Sequence, residues 1–242
     1  MNTHPLHWQS THRSNKGLVR QINEDACLNR PEVGIWVVAD GMGGHAAGDL
    51  ASRTIVDTLQ GMEPGESLGL LANGVKQRLF EVNQKLLQES EKRGGETIGS
   101  TVVALLAHQG RCIYLWAGDS RIYLYRRGRF KQLSRDHSQV EELIAQGIVS
   151  HDQADSCPIS NYITRAVGAY NDLELDAEMI EPRTGDIFLL CSDGLYKEIA
   201  DDEIASVLGQ FPLQEAAEHL LALSLERGAR DNVTFVLVNC FM

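Results

Sequence analysis

Short glycine-containing connections between apolar runs constrain the fold of this chain most strongly. Between residues 107 and 129, runs of β-rich composition alternate with the segments HQGR, GDSR and RRGR. Parallel strands need a crossover of about a dozen residues or more, whereas links this short connect antiparallel hairpins. The sequence therefore disfavours a doubly wound parallel sheet and predicts antiparallel strands.

Six strand-length runs and three one-sided helices make up the main predicted elements. Apolar residues recur every three or four positions along 47–59, 68–86 and 213–221, which predicts amphipathic helices. Helices with one apolar face, combined with hairpins, predict an α+β fold in which a sandwich of two mainly antiparallel sheets is flanked by helices, in the layer order αββα. The strand-length runs lie at 34–39, 101–107, 112–117, 122–125, 187–191 and 233–238.

One polar segment interrupts this regularity. Residues at about 144–171 follow a short helical stretch and show no strong period. We interpret the segment as an inserted flap or long loop, which in a compact domain is usually functional. No linker rich in Pro, Ser or Gly divides the chain, so we expect one domain over 1–242.

Charge and cysteine content exclude several classes of protein. With 22 Lys and Arg against 33 Asp and Glu, the net charge of −11 disfavours nucleic acid and anionic membrane surfaces as partners. The five cysteines form no CxxC pair, so neither a disulfide framework nor a zinc site is indicated. No apolar run approaches the roughly 18 residues that span a bilayer. We therefore expect a cytoplasmic protein without export signal or membrane insertion. The sequence shows no coiled-coil heptads, so we also expect a monomer.

Aspartates at the ends of apolar runs carry the clearest chemical signal. Asp40 ends one run and precedes Gly41, Asp193 follows another run, and Asp231 precedes a third. Each alone also fits ordinary turn chemistry. Strand ends lie close together in a sandwich, however, and gathered carboxylates repel unless a cation neutralises them. Mg²⁺ and Mn²⁺ prefer such oxygen ligands, and the carbonyl of Gly41 has room to approach one.

The segment RQINED at 20–25 adds a guanidinium and two acids. It is open to two interpretations. Charged segments of this kind are usually solvated loops. In the functional interpretation, Arg20 clamps two oxygens of a phosphate or sulfate, and Asp25 contacts a metal-bound water.

Five motifs occur in a fixed order: RxxNED from Arg20, DGMGGH from Asp40, GDSR from Gly118, SDGL from Ser192, and DN at Asp231. Together with the lesser matches GST, DHS and NYITRAVG, they extend from about residue 17 to 238. This ordered set resembles the bacterial branch of the metal-dependent Ser/Thr protein phosphatases, type 2C.

The resemblance implies a β-sandwich flanked by helices, with two Mn²⁺ or Mg²⁺ ions at one end. By this similarity Asp40 would bridge the two ions, and the Gly41 carbonyl would bind the first. Asp193 and Asp231 would hold the second ion. Asp25 would act mainly through metal-bound water.

The resemblance also implies further roles around the two ions. Asp119 would join Asp193 at a third, weaker metal site, and Arg20 would hold the substrate phosphate. A water activated by the two ions would attack the phosphate without a phosphoenzyme. His45 is a candidate acid for the leaving Ser or Thr alkoxide, although a histidine after two glycines equally fits the start of a helix.

The expected function is therefore a protein phosphatase that reverses a bacterial Ser/Thr kinase. Its expected partners are phosphorylated proteins, among them that kinase and its substrates, with a forkhead-associated protein of type VI secretion as one counterpart in the family. Two alternatives stay open: a non-catalytic phosphoprotein-binding module of the same fold, and a hydrolase of small phosphoesters. The chain has no Cys-x5-Arg motif and no P-loop, which excludes cysteine-dependent phosphatases and gives no support to ATP-dependent chemistry.

Overall fold

Two antiparallel sheets form the centre of the structure, a computed structural model that describes residues 6–43, 47–150 and 162–242. One sheet has the strand order β1-β11-β10-β7-β8, and the other has the order β2-β3-β5-β6-β9 with β4 paired to the end of β3. The hairpins predicted at HQGR and RRGR are confirmed as the pairs β5–β6 and β7–β8. The hairpin predicted at GDSR is wrong, because this link passes from β6 in one sheet to β7 in the other. The strands are β1 (His7–Asn15), β2 (Asp25–Arg30), β3 (Ile35–Gly43), β4 (Ile98–Ser100), β5 (Val102–His108), β6 (Arg111–Ala117), β7 (Arg121–Arg126), β8 (Arg129–Gln132), β9 (Asp176–Ile180), β10 (Ile187–Cys191) and β11 (Val233–Phe241).

Helices cover the outer face of each sheet. The first two pack on β2, β3 and β5, and the last packs on β1 and β11. The stripes predicted to face the core are buried along both long helices of the first pair. The helices are α1 (Ala47–Gln60), α2 (Leu68–Lys92), α3 (Gln139–Ala145), α4 (Asp193–Tyr196), α5 (Asp201–Gln210) and α6 (Leu213–Glu226).

Three apolar layers separate these elements. Alternate residues of β3 point to opposite faces, so that Val37 packs under α1 and α2 whereas Trp36 packs between the sheets. A third layer, which includes Tyr123 and Phe235, lies beneath α5 and α6. The layer order is therefore αββα, which confirms the predicted fold.

The predicted flap is shorter at its C-terminal end than 144–171. Val167 is fully buried and exchanges two backbone hydrogen bonds of 2.9 Å with Ser100 of β4. The backbone N–H of Gly168 donates to the side chain of Asn83 in α2 at 2.6 Å. Residues 166–168 thus belong to the packed core, because their backbone groups find partners there. The middle of the flap, 151–161, lies outside the described residues.

Membrane insertion finds no support in these helices. Within 6–43, 47–150 and 162–242, none combines the length and the apolar character that a membrane span requires.

Candidate active site

Four of the predicted aspartates lie at one end of the sandwich. Asp25 opens β2 and is the register partner of Asp40 near the end of β3. Asp193 follows β10 as the first residue of α4, and Asp231 lies two residues before β11. The hydroxyl of Ser192 donates to the Asp25 carboxylate at 2.8 Å and so joins the two sheets at this end.

Electrostatics place these carboxylates in one cluster. Burial raises the pKa of Asp40 well above its usual range, although part of the residue still meets solvent. Negative charge on neighbouring carboxylates raises it further, because ionising a group beside like charges costs free energy. The neighbours that act on Asp40 are Asp25, Asp193, Asp119 and Asp231.

Two further members of the cluster are almost completely buried. Burial raises the pKa of Asp25 to about 7. The hydrogen bond from Ser192 lowers this pKa, whereas the negative charges of Asp193 and Asp231 raise it. Burial, followed by the charge of Asp193, likewise raises the pKa of Asp119 to about 7. The charge of Asp193 therefore acts on Asp119, and the third metal site at these two residues stays a prediction.

Two cationic side chains lie against the cluster. The guanidinium of Arg20 donates to Asp231 Oδ2 at 2.6 Å, and its side chain is 52% exposed, so it stays accessible from solvent. The Lys197 ammonium lies 2.7 Å from Asp193 Oδ2. Sequence reasoning did not select Lys197, although its position four residues after Asp193 on a short helix was a usable signal.

The donor set fits a hard divalent cation. Asp25 Oδ1 is buried and has no hydrogen-bond partner within the described part of the chain, and burial together with the charge of neighbouring carboxylates raises the pKa of Asp40. A cation relieves both conditions. In the same ranges, no three Asp, Glu, His or Cys side chains converge closely enough to hold one ion by themselves. The shells of Mg²⁺ and Mn²⁺ also include water and backbone carbonyls, so a site here needs fewer than three converging side chains per ion.

Gly41 has a steric reason to be glycine. A Cβ at this position would lie 2.1 Å from the carbonyl oxygen of Gly48 in α1 and 2.6 Å from that of Glu24. The end of β3 therefore passes too close to the first turn of α1 for any side chain. This close approach keeps the segment beside Asp40 in position.

Asn232 fixes the loop that carries Arg20. Its buried side chain accepts a hydrogen bond from Glu24 N at 2.8 Å and donates to the carbonyls of Lys16 at 2.9 Å and Ile22 at 3.0 Å. One amide thereby holds both ends of the loop beside Asp231. The DN motif combines a carboxylate with the residue that positions the neighbouring loop.

Arg121 of the GDSR motif is linked to Asp119 through the side chain of Tyr196. Arg121 makes a forked ion pair with Asp136, Nη2 to Oδ2 at 2.7 Å and Nε to Oδ1 at 3.0 Å, and its guanidinium lies 3.6 Å from the ring centroid of Tyr196. The hydroxyl of Tyr196 donates to the backbone carbonyl of Asp119 at 3.1 Å. Sequence analysis assigned no role to these residues, because their contacts join segments far apart in the chain.

Arg121→Lys is expected to lower the free energy of unfolding by about 2 kcal/mol. Lysine cannot reproduce the fork to Asp136 or the flat contact with Tyr196. Urea unfolding measures the change, and Arg53→Lys serves as a matched control because its ion pair with Asp49 is more exposed. The control is expected to change stability by less than about 0.5 kcal/mol. Equal effects of the two substitutions would contradict this role.

The structure describes the surroundings of His137 but not those of His45. His45, the candidate acid, lies outside the described residues, so its role stays a prediction. His137 is buried, stacks on Trp116, and receives a hydrogen bond from Gly118 N at 3.2 Å. Its Nε2 lies 3.1 Å from Asp176 Oδ2, so the contacts of His137 are with neighbouring structural residues.

Comparison with known proteins decides the family. Residues 11–231 match the family profile described as Protein phosphatase 2C. The chain belongs to the protein phosphatase 2C family. This confirms the resemblance drawn from the five motifs.

Members of the protein phosphatase 2C family with known names or structures resemble the chain closely. "Serine/threonine protein phosphatase PstP" of Mycobacterium tuberculosis is 35% identical over 228 residues, which cover 94% of this chain but 44% of that protein. The chain thus spans less than half the length of this relative. The structure described as "PppA, a key regulatory component of T6SS in Pseudomonas aeruginosa" has a TM-score of 0.90 and 44% identity, covering 97% of this chain and 98% of that one. The catalytic domain of PstP in complex with two manganese ions has a TM-score of 0.86 and 33% identity, covering 98% and 100%.

Proposed function

We propose that this chain is a metal-dependent serine/threonine protein phosphatase. It hydrolyses phosphoserine and phosphothreonine on proteins, with two Mn²⁺ or Mg²⁺ ions as cofactors. The observation that carries the proposal is the cluster of aspartates at one end of the sandwich, in which burial and the charge of four neighbouring carboxylates raise the pKa of Asp40. The manganese bound by the similar PstP domain supports the choice of metal.

Each member of the cluster has a role in this proposal. Asp40, the Gly41 carbonyl, Asp193 and Asp231 would hold the two ions. Asp25 acts through ordered water, since its Oδ1 has no partner among the described residues. When bound, the two ions lower the pKa of a shared water and neutralise phosphate charge.

Asp119 would join Asp193, a residue of the two-ion site, in holding a third and more weakly bound ion. Arg20 binds and orients the substrate phosphate, and its contact with Asp231 keeps the guanidinium at the mouth of the cluster. His45 is proposed to hold the proton that the leaving alkoxide takes up.

The partners are phosphorylated proteins in the cytoplasm. We infer that the enzyme reverses a Ser/Thr kinase. The similarity to PppA favours a role in regulating type VI secretion. A forkhead-associated protein is a further proposed partner. We also infer a single catalytic domain over 1–242, because β1 near one end of the chain pairs with β11 near the other.

The proposal is tested by a panel of four substrates with added Mn²⁺. Phosphothreonine and phosphoserine peptides should release phosphate, whereas a matched phosphotyrosine peptide should react far more slowly. A second candidate function is the hydrolysis of small phosphoesters. It is favoured by the exposed side chain of Arg20, because Arg20 is the one residue proposed to bind the substrate phosphate directly. Turnover of 4-nitrophenyl phosphate without turnover of the phosphopeptides would support that candidate and overturn the proposal.

Arg20→Ala is expected to lower kcat/KM for a phosphothreonine peptide about 100-fold. The guanidinium supplies the charged, forked donor for the phosphate, and alanine supplies none. Steady-state kinetics check this, with Arg13→Ala as the control because Arg13 of β1 pairs with Glu218 of α6 and not with a member of the carboxylate cluster. Unchanged kinetics for Arg20→Ala would exclude the clamp.

A further inference from the structure

Three large aliphatic side chains are exposed on the loop that carries Arg20. Leu18, Val19 and Ile22 are 66%, 60% and 44% exposed. The described residues contain eleven exposed large hydrophobic side chains, and these three fall within five consecutive positions. Single exposed apolar residues are ordinary, but a cluster marks a contact surface. We call Leu18, Val19 and Ile22 the aliphatic patch.

The patch is exposed on a fixed backbone. Leu18 N donates to the carbonyl of Ala229 at 3.0 Å, and Asn232 donates to the carbonyl of Ile22 at 3.0 Å. Gly17, which precedes the patch, is buried with a φ of +74°, a conformation that glycine adopts without strain. Loops held in this way present side chains in a defined position, so the exposure is a property of the folded state.

The patch lies on the same loop as Arg20, the residue proposed to bind the phosphate. Arg20 lies between Val19 and Ile22 in sequence, and its guanidinium is 2.6 Å from Asp231 in the carboxylate cluster. An extended peptide advances about 3.3 Å per residue. A peptide whose phosphate contacts Arg20 therefore has its next one or two residues within reach of the patch.

We propose that the aliphatic patch binds an apolar side chain one or two residues away from the phosphorylated Ser or Thr of the substrate. The proposal rests on the proposed function and names a substrate class for it. A small phosphoester leaves the patch uncovered, whereas a phosphopeptide with a flanking Leu, Ile or Val buries it. The same chain carries a net charge of −11, which further disfavours acidic flanking residues.

Two phosphothreonine peptides test the proposal. One has Leu at the positions one and two residues on either side of the phosphothreonine, and the other has Ser there. Wild-type enzyme with Mn²⁺ is expected to favour the Leu peptide about tenfold in kcat/KM, mainly through KM. The triple variant L18S/V19T/I22T is expected to lose this preference and to keep its rate on 4-nitrophenyl phosphate.

A matched control separates the patch from general surface effects. Phe80→Ser removes another exposed hydrophobic, 45% exposed on α2, and should leave the preference intact. No preference in the wild type, a preference retained by the triple variant, or its loss in Phe80→Ser would each overturn the proposal.

If no substrate is hydrolysed, the proposed function fails. Fluorescence anisotropy of both labelled peptides then decides the patch separately, because only tighter binding of the Leu peptide, lost in the triple variant, supports it.

Discussion

Asp40→Asn is expected to reduce Mn²⁺-dependent phosphate release by about a thousandfold and to stabilise the metal-free protein. The substitution removes the carboxylate proposed to bridge the two ions, so the loss is in kcat. It also removes a charge that burial and four neighbouring carboxylates disfavour in the folded state. Steady-state kinetics and thermal unfolding in EDTA measure the two effects on one sample.

Asp186→Asn is the matched control for this prediction. Asp186 is 1% exposed and accepts hydrogen bonds from Arg126 at 2.8 and 2.6 Å, next to the start of β10 and away from Asp193. Its loss should cost about 3 kcal/mol of stability and leave kcat unchanged. A destabilised Asp40→Asn protein with normal kcat would contradict the assigned role.

The metal-free protein is expected to lose stability as pH rises from about 4 to about 7. Folding raises the pKa of Asp25 and of Asp119 from 3.8 to about 7, chiefly through burial. A carboxyl with a raised pKa contributes stability that is fully present below its unfolded pKa and is lost as pH rises through its folded pKa. The charged groups that face one another here are Asp25, Asp40, Asp119, Asp193, Asp231, Arg20 and Lys197.

Added Mn²⁺ should offset this loss most strongly at high pH. The ions neutralise a cluster in which Asp25 and Asp119, each with a pKa of about 7, are ionised at pH 8 but largely protonated at pH 5.5. The melting temperature in Mn²⁺ is expected to exceed that in EDTA by about 10 °C at pH 8 and by much less at pH 5.5. Asp25→Asn should flatten the pH dependence in EDTA. A Mn²⁺ effect that is equal at both pH values would argue against a buried acidic site.

Sequence periodicity predicted the buried elements well. The run at 187–191 coincides with β10, and the residues of the three helical stripes are buried or partly buried in α1, α2 and α6. These elements have strong patterns because a whole face, or both faces in the central strands, lies in the core.

The edge strands were not predicted. β1, β8, β2 and β9 are the outer strands of the two sheets. An edge strand pairs on one side only, and β1 accordingly has a polar sequence in which Thr11 is its one buried residue. α5 was also missed, although Ile204, Val207 and Leu208 have helical spacing behind an acidic first turn.

The site was predictable in part from where charges fall along the chain. Aspartates at strand ends and the ordered motifs are local sequence features, and they were enough to indicate the carboxylate cluster. The supports around it were not predictable, because Asn232 holds the Arg20 loop across more than two hundred positions and Tyr196 reaches Asp119 across 77. Such contacts depend on how the two sheets meet, which local periodicity does not specify.

The central claim is that phosphate release depends on metal ions held by this carboxylate cluster. Its most direct test is a Mn²⁺ titration of the metal-stripped wild-type and Asp193→Asn proteins. Calorimetry measures ion binding, and phosphate release from a phosphothreonine peptide is measured in parallel. We expect wild-type activity to rise as two ions bind, and the substitution to remove both the second binding step and the activity. Phosphate release that persists in EDTA, or that is equal in Asp193→Asn, would contradict the account.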